Sequence, residues 1–319
     1  MAILLTDQCT AECEMCCFGC SPKNNTVMQP EVIRRIIDEA ALMSGIQTVG
    51  FSGGEAFLQY DMLSDMIKYA TELGLRTTCT TNGFWASSYE KAYKKLATLK
   101  ENGLAKLGLS MDYFHQHFVD IQNLKNILIA CKNLGISVDI GSVITKSNSD
   151  LTQLLYVLKD YMINVPHFRA ACLPIGKAKN IDSSDLYYDD DLLDRGQIQC
   201  YELTYFSVYL NGDVYPCCSQ AGMISYLKLG NIHNDTIETI LAKYRGNMHI
   251  RIIKKHGLSW YIEIAKKENF NDILNKKYVN KCDLCHSIFS NELFMSCVHK
   301  YVQAEKEYIY KKYISTKGN

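Results

Sequence analysis

The 319-residue sequence lacks the features that would assign it to a membrane, a secretion route or a nucleic acid. No apolar run reaches the roughly 18 residues that a membrane helix needs. No basic segment followed by an apolar stretch stands at the start, so we expect no signal peptide and a cytoplasmic location. The formal net charge is zero and no long run of one sign occurs, so we expect no nucleic-acid partner.

Cysteine is present in excess, with 14 residues. Cytoplasmic thiols stay reduced, so a disulfide framework explains this number poorly. Clustered cysteines in such a protein more often bind metal or perform redox chemistry. Zinc is one alternative, and it would need tetrahedral sites of four Cys or His ligands.

The first half of the chain alternates short apolar runs with stretches of helical periodicity, which predicts βα units around a parallel sheet. Six units are too few to close an eight-stranded barrel. We therefore predict an α/β fold with a partial (β/α)6 TIM-like barrel, whose reacting groups lie at the carboxyl ends of strands. The predicted strands are residues 2–6, 48–52, 76–81, 106–110, 137–143 and 167–172. The predicted helices between them are residues 30–43, 62–73, 89–101 and 121–134.

The composition changes after the last of these strands. Residues 177–194 are polar and acidic, and we interpret them as a connector that leaves the barrel. A strand-like run at residues 203–210, a turn at Asn211-Gly212-Asp213 and a second run at residues 214–215 predict a hairpin. We therefore predict two domains, a barrel core at residues 1–180 and a cysteine-containing domain at residues 181–319.

The first predicted strand ends at a CxxxCxxC run formed by Cys9, Cys13 and Cys16. Three thiolates on one loop can hold three irons of a [4Fe–4S] cube. The fourth iron is then free to bind the amine and carboxylate of a small molecule. A zinc ion would find this loop one ligand short, unless Cys17 or Cys20 supplied the fourth.

This spacing resembles the signature of the radical S-adenosylmethionine (SAM) superfamily. In that family the open iron chelates SAM, and an electron from the cluster cleaves SAM to a 5′-deoxyadenosyl radical that abstracts a substrate hydrogen. The resemblance implies a [4Fe–4S] cluster on Cys9, Cys13 and Cys16, and SAM as cofactor. It also implies a cellular one-electron donor of the flavodoxin or ferredoxin type. Cys17 and Cys20 receive no catalytic role.

Polar groups stand at the ends of the next three predicted strands. Glycines let the backbone approach SAM closely, and a glutamate behind them can accept a hydrogen bond from the SAM amino group. By the resemblance, the polar groups at the ends of the third and fourth predicted strands reach the carboxylate and ribose of SAM. Capping of turns would explain these groups equally well. Met15 stands at the position where the family usually has an aromatic residue near the adenine of SAM. The implied SAM-binding residues are Met15, Ser52, Gly53, Gly54, Glu55, Thr81, Asn82, Ser110 and Asp112.

A second cysteine set lies in the C-terminal part. Cys200 is followed by eleven residues, Gly212, four residues and Cys217, and later by the Cys282-x2-Cys285 pair. This order resembles the auxiliary-cluster extensions of radical SAM enzymes. The shorter "twitch" version fits better than the longer SPASM version, because position 291 is Asn. The resemblance implies a second [4Fe–4S] cluster on Cys200, Cys217, Cys282 and Cys285, with a four-cysteine zinc site as the alternative.

Longer sequence segments indicate which family within the superfamily this chain resembles. Asn82-Gly83-Phe84-Trp85, Tyr215-Pro216-Cys217-Cys218-Ser219 and Gly257-Leu258-Ser259-Trp260 are similar to the epipeptide epimerases. That family converts L-residues of ribosomally synthesised precursor peptides to D-residues. It implies abstraction of a Cα hydrogen, followed by return of a hydrogen from the Cys218 thiol to the opposite face.

Other interpretations stay open for the sequence. A peptide cross-linking radical SAM enzyme, which makes thioether or carbon–carbon links, would also carry an auxiliary cluster, and its product would lose two hydrogens. A zinc-binding scaffold without catalysis belongs to a different class. Cys218 has an alternative role as a spare cluster ligand. Cys297 has no assigned role, and a structural role is expected for His115 and His117.

Overall fold

We describe the chain from a computed structural model, which describes residues 1–317 and the side chains of residues 1–311. Its strands form one sheet in the order β6-β5-β4-β3-β2-β1-β7-β8-β9. They are β1 (Ala2–Leu4), β2 (Thr48–Ser52), β3 (Arg76–Thr81), β4 (Leu104–Ser110), β5 (Ser137–Ile144), β6 (His167–Ala171), β7 (Ser207–Val208), β8 (Asp213–Tyr215) and β9 (Gly230–Asn231).

Helices separate the first six strands and make up most of the chain that follows β9. Among the described helices, none is both long enough and apolar enough to cross a membrane. They are α1 (Pro30–Ala41), α2 (Tyr60–Glu72), α3 (Tyr89–Glu101), α4 (Tyr113–Gln116), α5 (Ile121–Leu134), α6 (Thr152–Leu158), α7 (Ile237–Gly246), α8 (Met248–His256), α9 (Ser259–Lys267), α10 (Asn271–Leu274), α11 (Lys281–Ser290) and α12 (Glu292–Lys317).

The first six strands are parallel and lie side by side in chain order. Each is joined to the next by a segment that contains a helix. β7 occupies the other side of β1, so within residues 1–317 the sheet does not close between β6 and β1. The predicted α/β partial barrel is therefore confirmed, and the carboxyl ends of its strands meet along one edge.

Local chemistry fixes the helix ends. The Ser88 hydroxyl accepts a hydrogen bond from the Lys91 N–H at 3.3 Å at the start of α3. The Asp120 carboxylate accepts one from the Gln122 N–H at 2.8 Å at the start of α5. These caps satisfy amides that have no partner inside the helix. Gly135, with φ of 64°, ends α5 in the left-handed conformation.

The C-terminal part continues the barrel sheet, which the sequence did not predict. β7 pairs in parallel with β1, and β8 and β9 add antiparallel strands beyond it. The predicted hairpin is present, although its first strand is shorter than the predicted run. Leu4, Tyr209 and Tyr215 are buried together at the joint, with Phe18 packed against them. The hairpin is therefore held against the strand and the loop that carry the first cysteines.

Candidate active site

The loop after β1 carries the first cysteine set and is shaped by backbone hydrogen bonds. The Cys9 N–H donates to the Ser21 carbonyl at 3.1 Å, which brings the two ends of the loop together. Inside it, the Cys16 N–H donates to the Cys13 carbonyl at 3.1 Å and forms a tight turn. The Cys13 thiol donates to the Phe114 carbonyl at 3.4 Å, beyond β4. The CxxxCxxC spacing therefore folds three thiols onto one loop.

The glycines after β2 are required by this loop. A Cβ on Gly53, which has φ of +149°, would lie 2.4 Å from the Thr6 carbonyl oxygen. A Cβ on Gly54 would lie 2.2 Å from the Gln8 carbonyl oxygen. The Gly54 and Glu55 N–H groups donate to those same carbonyls at 2.6 and 2.8 Å. The sequence predicted these glycines for a close approach of the backbone to SAM. The close approach in the structure is to Thr6 and Gln8, which lead into the cysteine loop.

The Glu55 side chain holds the end of β3 in place through hydrogen bonds. Its carboxylate is 1% exposed and accepts hydrogen bonds from the Thr81 hydroxyl at 2.8 Å, the Asn82 N–H at 2.7 Å and the Phe57 N–H at 3.0 Å. Burial raises its pKa to about 6, against the opposing effect of these hydrogen bonds. Glu55 therefore positions two other predicted SAM-binding residues.

Asp112 holds the end of β4 in a similar way. Its buried carboxylate accepts hydrogen bonds from the Val143 N–H at 2.9 Å and from the His115 N–H at 3.0 Å. It also contacts the His115 ring nitrogen Nδ1 at 2.8 Å. This links β4, β5 and α4. A structural role was expected for His115, and the residue also lines the cavity described next.

One cavity of about 310 Å³ lies against the carboxyl ends of the strands. Glu55 and Asp112 stand behind its wall, whereas the other predicted SAM-binding residues face it together with the three loop cysteines. Cys17, Phe18 and Cys20 also line it. The predicted residues on the wall are Cys9, Cys13, Met15, Cys16, Ser52, Gly53, Gly54, Thr81, Asn82 and Ser110.

The loop thiols differ in acidity. Burial raises the pKa of Cys9 to about 11 and the pKa of Cys13 to about 12. A hydrogen bond shared with the Cys20 thiol lowers the pKa of Cys16 to about 6. Iron binds thiolates, so a cluster on this loop would displace the protons of Cys9 and Cys13.

The segment after β6 supports the cysteine loop, a contact that the sequence did not predict. Gly176 has φ of +64°, and a Cβ there would lie 2.2 Å from the Cys17 carbonyl oxygen. The next residue, Lys177, donates its N–H to the Cys16 carbonyl at 3.1 Å and its Nζ to the Cys20 carbonyl at 3.1 Å. A glycine followed by lysine at a strand end is too common a pattern to predict this contact.

The second cysteine set converges on one small apolar cavity. Two of its thiols lie three residues apart on one face of α11, where the Asn280 side chain caps the helix by accepting from the Cys282 N–H at 2.8 Å. The Cβ that Gly222 lacks would lie 2.9 Å from the Cys217 Cβ. The cavity-lining cysteines are Cys200, Cys217, Cys282 and Cys285.

Thiols surrounded by apolar residues suit iron–sulfur clusters, because sulfur ligands and a dry environment both favour the cluster. Leu203, Leu227, Ile253 and Leu258 also line this cavity, and Ser219 and Lys281 are the polar members of its wall. The four thiols of this set therefore fit an iron–sulfur cluster by their chemistry and by the cavity that they share.

Cys218 differs from its neighbour Cys217. Cys218 is exposed, and it does not line the small cavity of the second cysteine set. A hydrogen bond shared by the two thiols lowers the pKa of Cys218 to about 7 and raises that of Cys217. The chain therefore presents one exposed cysteine residue directly beside the second cysteine set.

Tyr209 lies between the two cysteine sets. Its ring packs 6.0 Å from the Phe18 ring, which lines the large cavity, and 5.5 Å from the Tyr215 ring. Its hydroxyl is buried and has no hydrogen-bond partner among the described side chains. Burial and the nearby thiols of Cys217 and Cys17 raise its pKa. Tyr209 thus connects Phe18, on the loop of the first set, with Tyr215, two residues before Cys217.

The remaining cysteines line neither cavity, apart from Cys17 and Cys20. Three of them, Cys79, Cys131 and Cys172, are buried. Cys297 lies on α12, beside Glu268.

Comparison with known families assigns the chain. Residues 3–148 match the profile of the radical SAM superfamily, and residues 200–287 match the SPASM profile of an iron–sulfur cluster-binding domain. The chain belongs to the radical SAM superfamily. It is a radical SAM enzyme whose C-terminal part carries a domain of the SPASM/twitch type. Its cofactors are SAM and two [4Fe–4S] clusters, and the alternative of a zinc scaffold without catalysis is wrong.

Individual relatives agree with this assignment. YydG of Bacillus subtilis (strain 168), which is named for a role in peptide biosynthesis, is 28% identical over 95% of this chain and 96% of its own length. GTP 3′,8-cyclase of Aquifex aeolicus (strain VF5) is 26% identical over 47% of this chain and 49% of its own length.

Solved structures share the fold. The structure of anSMEcpe with bound AdoMet and the Kp18Cys peptide has a TM-score of 0.59 and 17% identity. The match covers 95% of this chain and 98% of that one. The same protein with AdoMet alone has a TM-score of 0.58 over the same shares. The likeness extends over both parts of the chain.

Proposed function

We propose that this protein is a radical SAM peptide epimerase, which converts L-residues of a ribosomally synthesised precursor peptide to D-residues. A peptide substrate is supported by the resemblance to YydG, named for peptide biosynthesis, over nearly the whole of both chains. The observation that carries the epimerase proposal is the exposed cysteine Cys218. It stands beside the auxiliary cysteines and outside their cavity.

The proposal assigns each cysteine set a role. Cys9, Cys13 and Cys16 hold the cluster that binds SAM, in a cavity where residues of β2, β3 and β4 meet SAM. Cys200, Cys217, Cys282 and Cys285 hold the auxiliary cluster. We assign the radical SAM core to residues 1–180 and the auxiliary cluster to residues 181–319. A one-electron donor of the flavodoxin or ferredoxin type supplies reducing electrons.

When bound, the cofactors would supply a 5′-deoxyadenosyl radical able to abstract the peptide Cα hydrogen, and an electron for the end of the cycle. The Cα radical is planar and has lost its chirality. Cys218 delivers its thiol hydrogen atom to the opposite face and becomes a thiyl radical. That radical then takes one electron, and a proton from water reaches it because Cys218 is exposed. The peptide keeps its composition, while one SAM is consumed.

The experiment that tests this proposal is turnover in deuterated water. A thiol exchanges its hydrogen with solvent, so the product should gain one deuterium at the inverted Cα and about one mass unit, with none at unmodified residues. Cys218→Ala should keep both clusters and cleave SAM, but the D-residue should fall to background and fragmented peptide should accumulate. Mass spectrometry and chiral amino-acid analysis measure both outcomes.

Cys297→Ala is the matched control, because it removes another thiol that lines neither cavity. It should leave epimerisation unchanged. A product lighter by two hydrogens would replace epimerisation by cross-linking. Full epimerisation by Cys218→Ala would move the donor role elsewhere, and loss of auxiliary iron in that variant would make Cys218 a ligand.

A further inference from the structure

The sheet of the barrel ends in an exposed edge at β6. This strand pairs with β5 from Ile140↔His167 to Ile144↔Ala171. Within residues 1–317, no strand pairs with its other side. Phe168, Arg169 and Ala170 are exposed. Such an edge presents backbone N–H and C=O groups that can pair with another extended chain.

The hydrogen bonds to β5 determine which groups of β6 point outward. The Pro166 carbonyl accepts from the Ile140 N–H, and the Cys172 N–H donates to the Ile144 carbonyl, both at 2.9 Å. In a parallel pair, every second residue directs both of its backbone groups to the same neighbour. Residues with even numbers therefore face β5. The residues whose N–H and C=O face away from it are His167, Arg169 and Ala171.

This edge is continuous with the SAM cavity. Ala170 and Ala171 of β6 line the cavity of about 310 Å³, together with Val143 of β5. The side chains of Ala170 and Ala171 are small, so they add little bulk between the edge and the cavity. An extended chain lying along β6 would therefore run beside the place where the cofactor binds.

We propose that the peptide substrate docks as an added strand along the free edge of β6. The proposal rests on the proposed action on a peptide. Strand addition recognises the backbone through main-chain hydrogen bonds and leaves side chains to separate pockets. That suits a reaction at Cα, because the reacting atom belongs to the backbone. It also fixes the face of the peptide that meets the cavity, since alternate residues of a strand point to opposite faces.

Binding as an added strand should favour the L-substrate over the D-product. An L-residue adopts the β region without strain, whereas a D-residue favours the mirror-image region with positive φ. Once a residue has been inverted, its place in the added strand is strained. The product should therefore leave the edge more readily than the substrate. A peptide already carrying the D-residue should bind more weakly than its L-counterpart.

The test uses the full-length, iron-reconstituted enzyme with SAM and a fluorescein-labelled probe peptide, Ser-Val-Thr-Val-Thr-Val-Ser-amide. Alternating Val and Thr favour an extended strand. Arg169→Pro removes one outward N–H and keeps the ladder to β5, a substitution that edge strands tolerate. Arg169→Ala changes the side chain and keeps the N–H. We expect Arg169→Pro to weaken binding about tenfold, while Arg169→Ala binds like the wild type.

Hydrogen exchange of the wild-type enzyme gives a second measurement that needs no variant. The probe should slow exchange of the Arg169 and Ala171 amides. The Phe168 and Ala170 amides, which already face β5, should change little. No binding of the probe by the wild type, equal losses in both Arg169 variants, or protection of all four amides alike would overturn the proposal.

Failure of docking and failure of epimerisation give different results. Weaker probe binding by Arg169→Pro, without deuterium at Cα in the turnover experiment, would keep docking and reject epimerisation. Epimerisation by Arg169→Pro with an unchanged KM for peptide would reject docking and keep epimerisation. Equal iron content and SAM affinity in the wild type and both variants establish that the fold is intact.

Discussion

The two cysteine sets are built in opposite ways. The first comes from one loop of the chain and opens onto a cavity of about 310 Å³. The second is assembled from separate segments, with Cys200 and Cys217 far in sequence from α11, and surrounds a cavity of about 20 Å³. The first set therefore opens onto a cavity large enough for a small molecule, whereas the space between the thiols of the second set is much smaller.

Removal of the first set should have the largest effect. Changing Cys9, Cys13 and Cys16 to Ala together should remove about half of the roughly eight irons expected for two cubane clusters. All cleavage of SAM should disappear, because no open iron remains. Iron and sulfide analysis after anaerobic reconstitution, with chromatography of 5′-deoxyadenosine, measures both.

The corresponding change in the second set sharpens the comparison. Cys282→Ala with Cys285→Ala should remove the other half of the iron and leave cleavage of SAM in place. Stoichiometric zinc without labile sulfide in the second set would contradict the assignment of a cluster to it.

Gly54→Ala should have a smaller effect, confined to the first set. Its Cβ would lie 2.2 Å from the Gln8 carbonyl oxygen, so the entry to the cysteine loop must shift. We expect a loss of about 1–3 kcal/mol in the free energy of unfolding and reduced iron on the first loop. Anaerobic thermal unfolding and iron analysis measure these.

Gly45→Ala is the matched control for that substitution. An added Cβ at Gly45 meets no atom within 4 Å, so the free energy of unfolding should change by no more than about 0.5 kcal/mol. Equal stability of the two variants would mean that the contact between residue 54 and residue 8 is not what fixes the loop.

Sequence patterns predicted those features of the fold that residues close together in the chain determine. The bounds of α3 and α5 agree with the periodic stretches, because capping and amphipathic spacing act within a few residues. The CxxxCxxC loop likewise carries its geometry in one segment. The pairing of β7 with β1 was missed, because two short strands about 200 residues apart carry no mutual signal.

Residues of the candidate site follow the same division. The side chains at the strand ends were found because each follows a recognisable run of β residues. The cavity position of His115 depends on its contact with Asp112 and on the packing of α4. The contact of Gly176 with Cys17 joins segments about 160 residues apart. Such contacts exist only after the barrel has formed, so a single sequence does not display them.

Substitution of Glu55 is the change to the site for which we predict the smallest effect. It distinguishes two ways in which this carboxylate can contribute to SAM affinity. The carboxylate accepts hydrogen bonds from Thr81 and Asn82 and stands behind the cavity wall. Glu55→Gln keeps its shape but replaces one acceptor oxygen by an NH2 group. We expect SAM affinity to fall about tenfold with the iron unchanged, because a hydrogen bond to a charged group contributes about 1.5–3 kcal/mol. Equilibrium binding of SAM to the reconstituted enzyme measures this.

Thr81→Val shows how Glu55 affects SAM affinity. The carboxylate either holds the end of β3 in place or binds the SAM amine directly. If Glu55 acts by holding the end of β3, removal of the Thr81 hydroxyl should reproduce part of the loss. Glu55→Gln should then weaken SAM and a SAM analogue without the amino group equally. If Glu55 binds the SAM amine directly, Thr81→Val should have little effect, and the analogue should bind the wild type and Glu55→Gln alike. Unchanged affinity for SAM in Glu55→Gln would reject both roles.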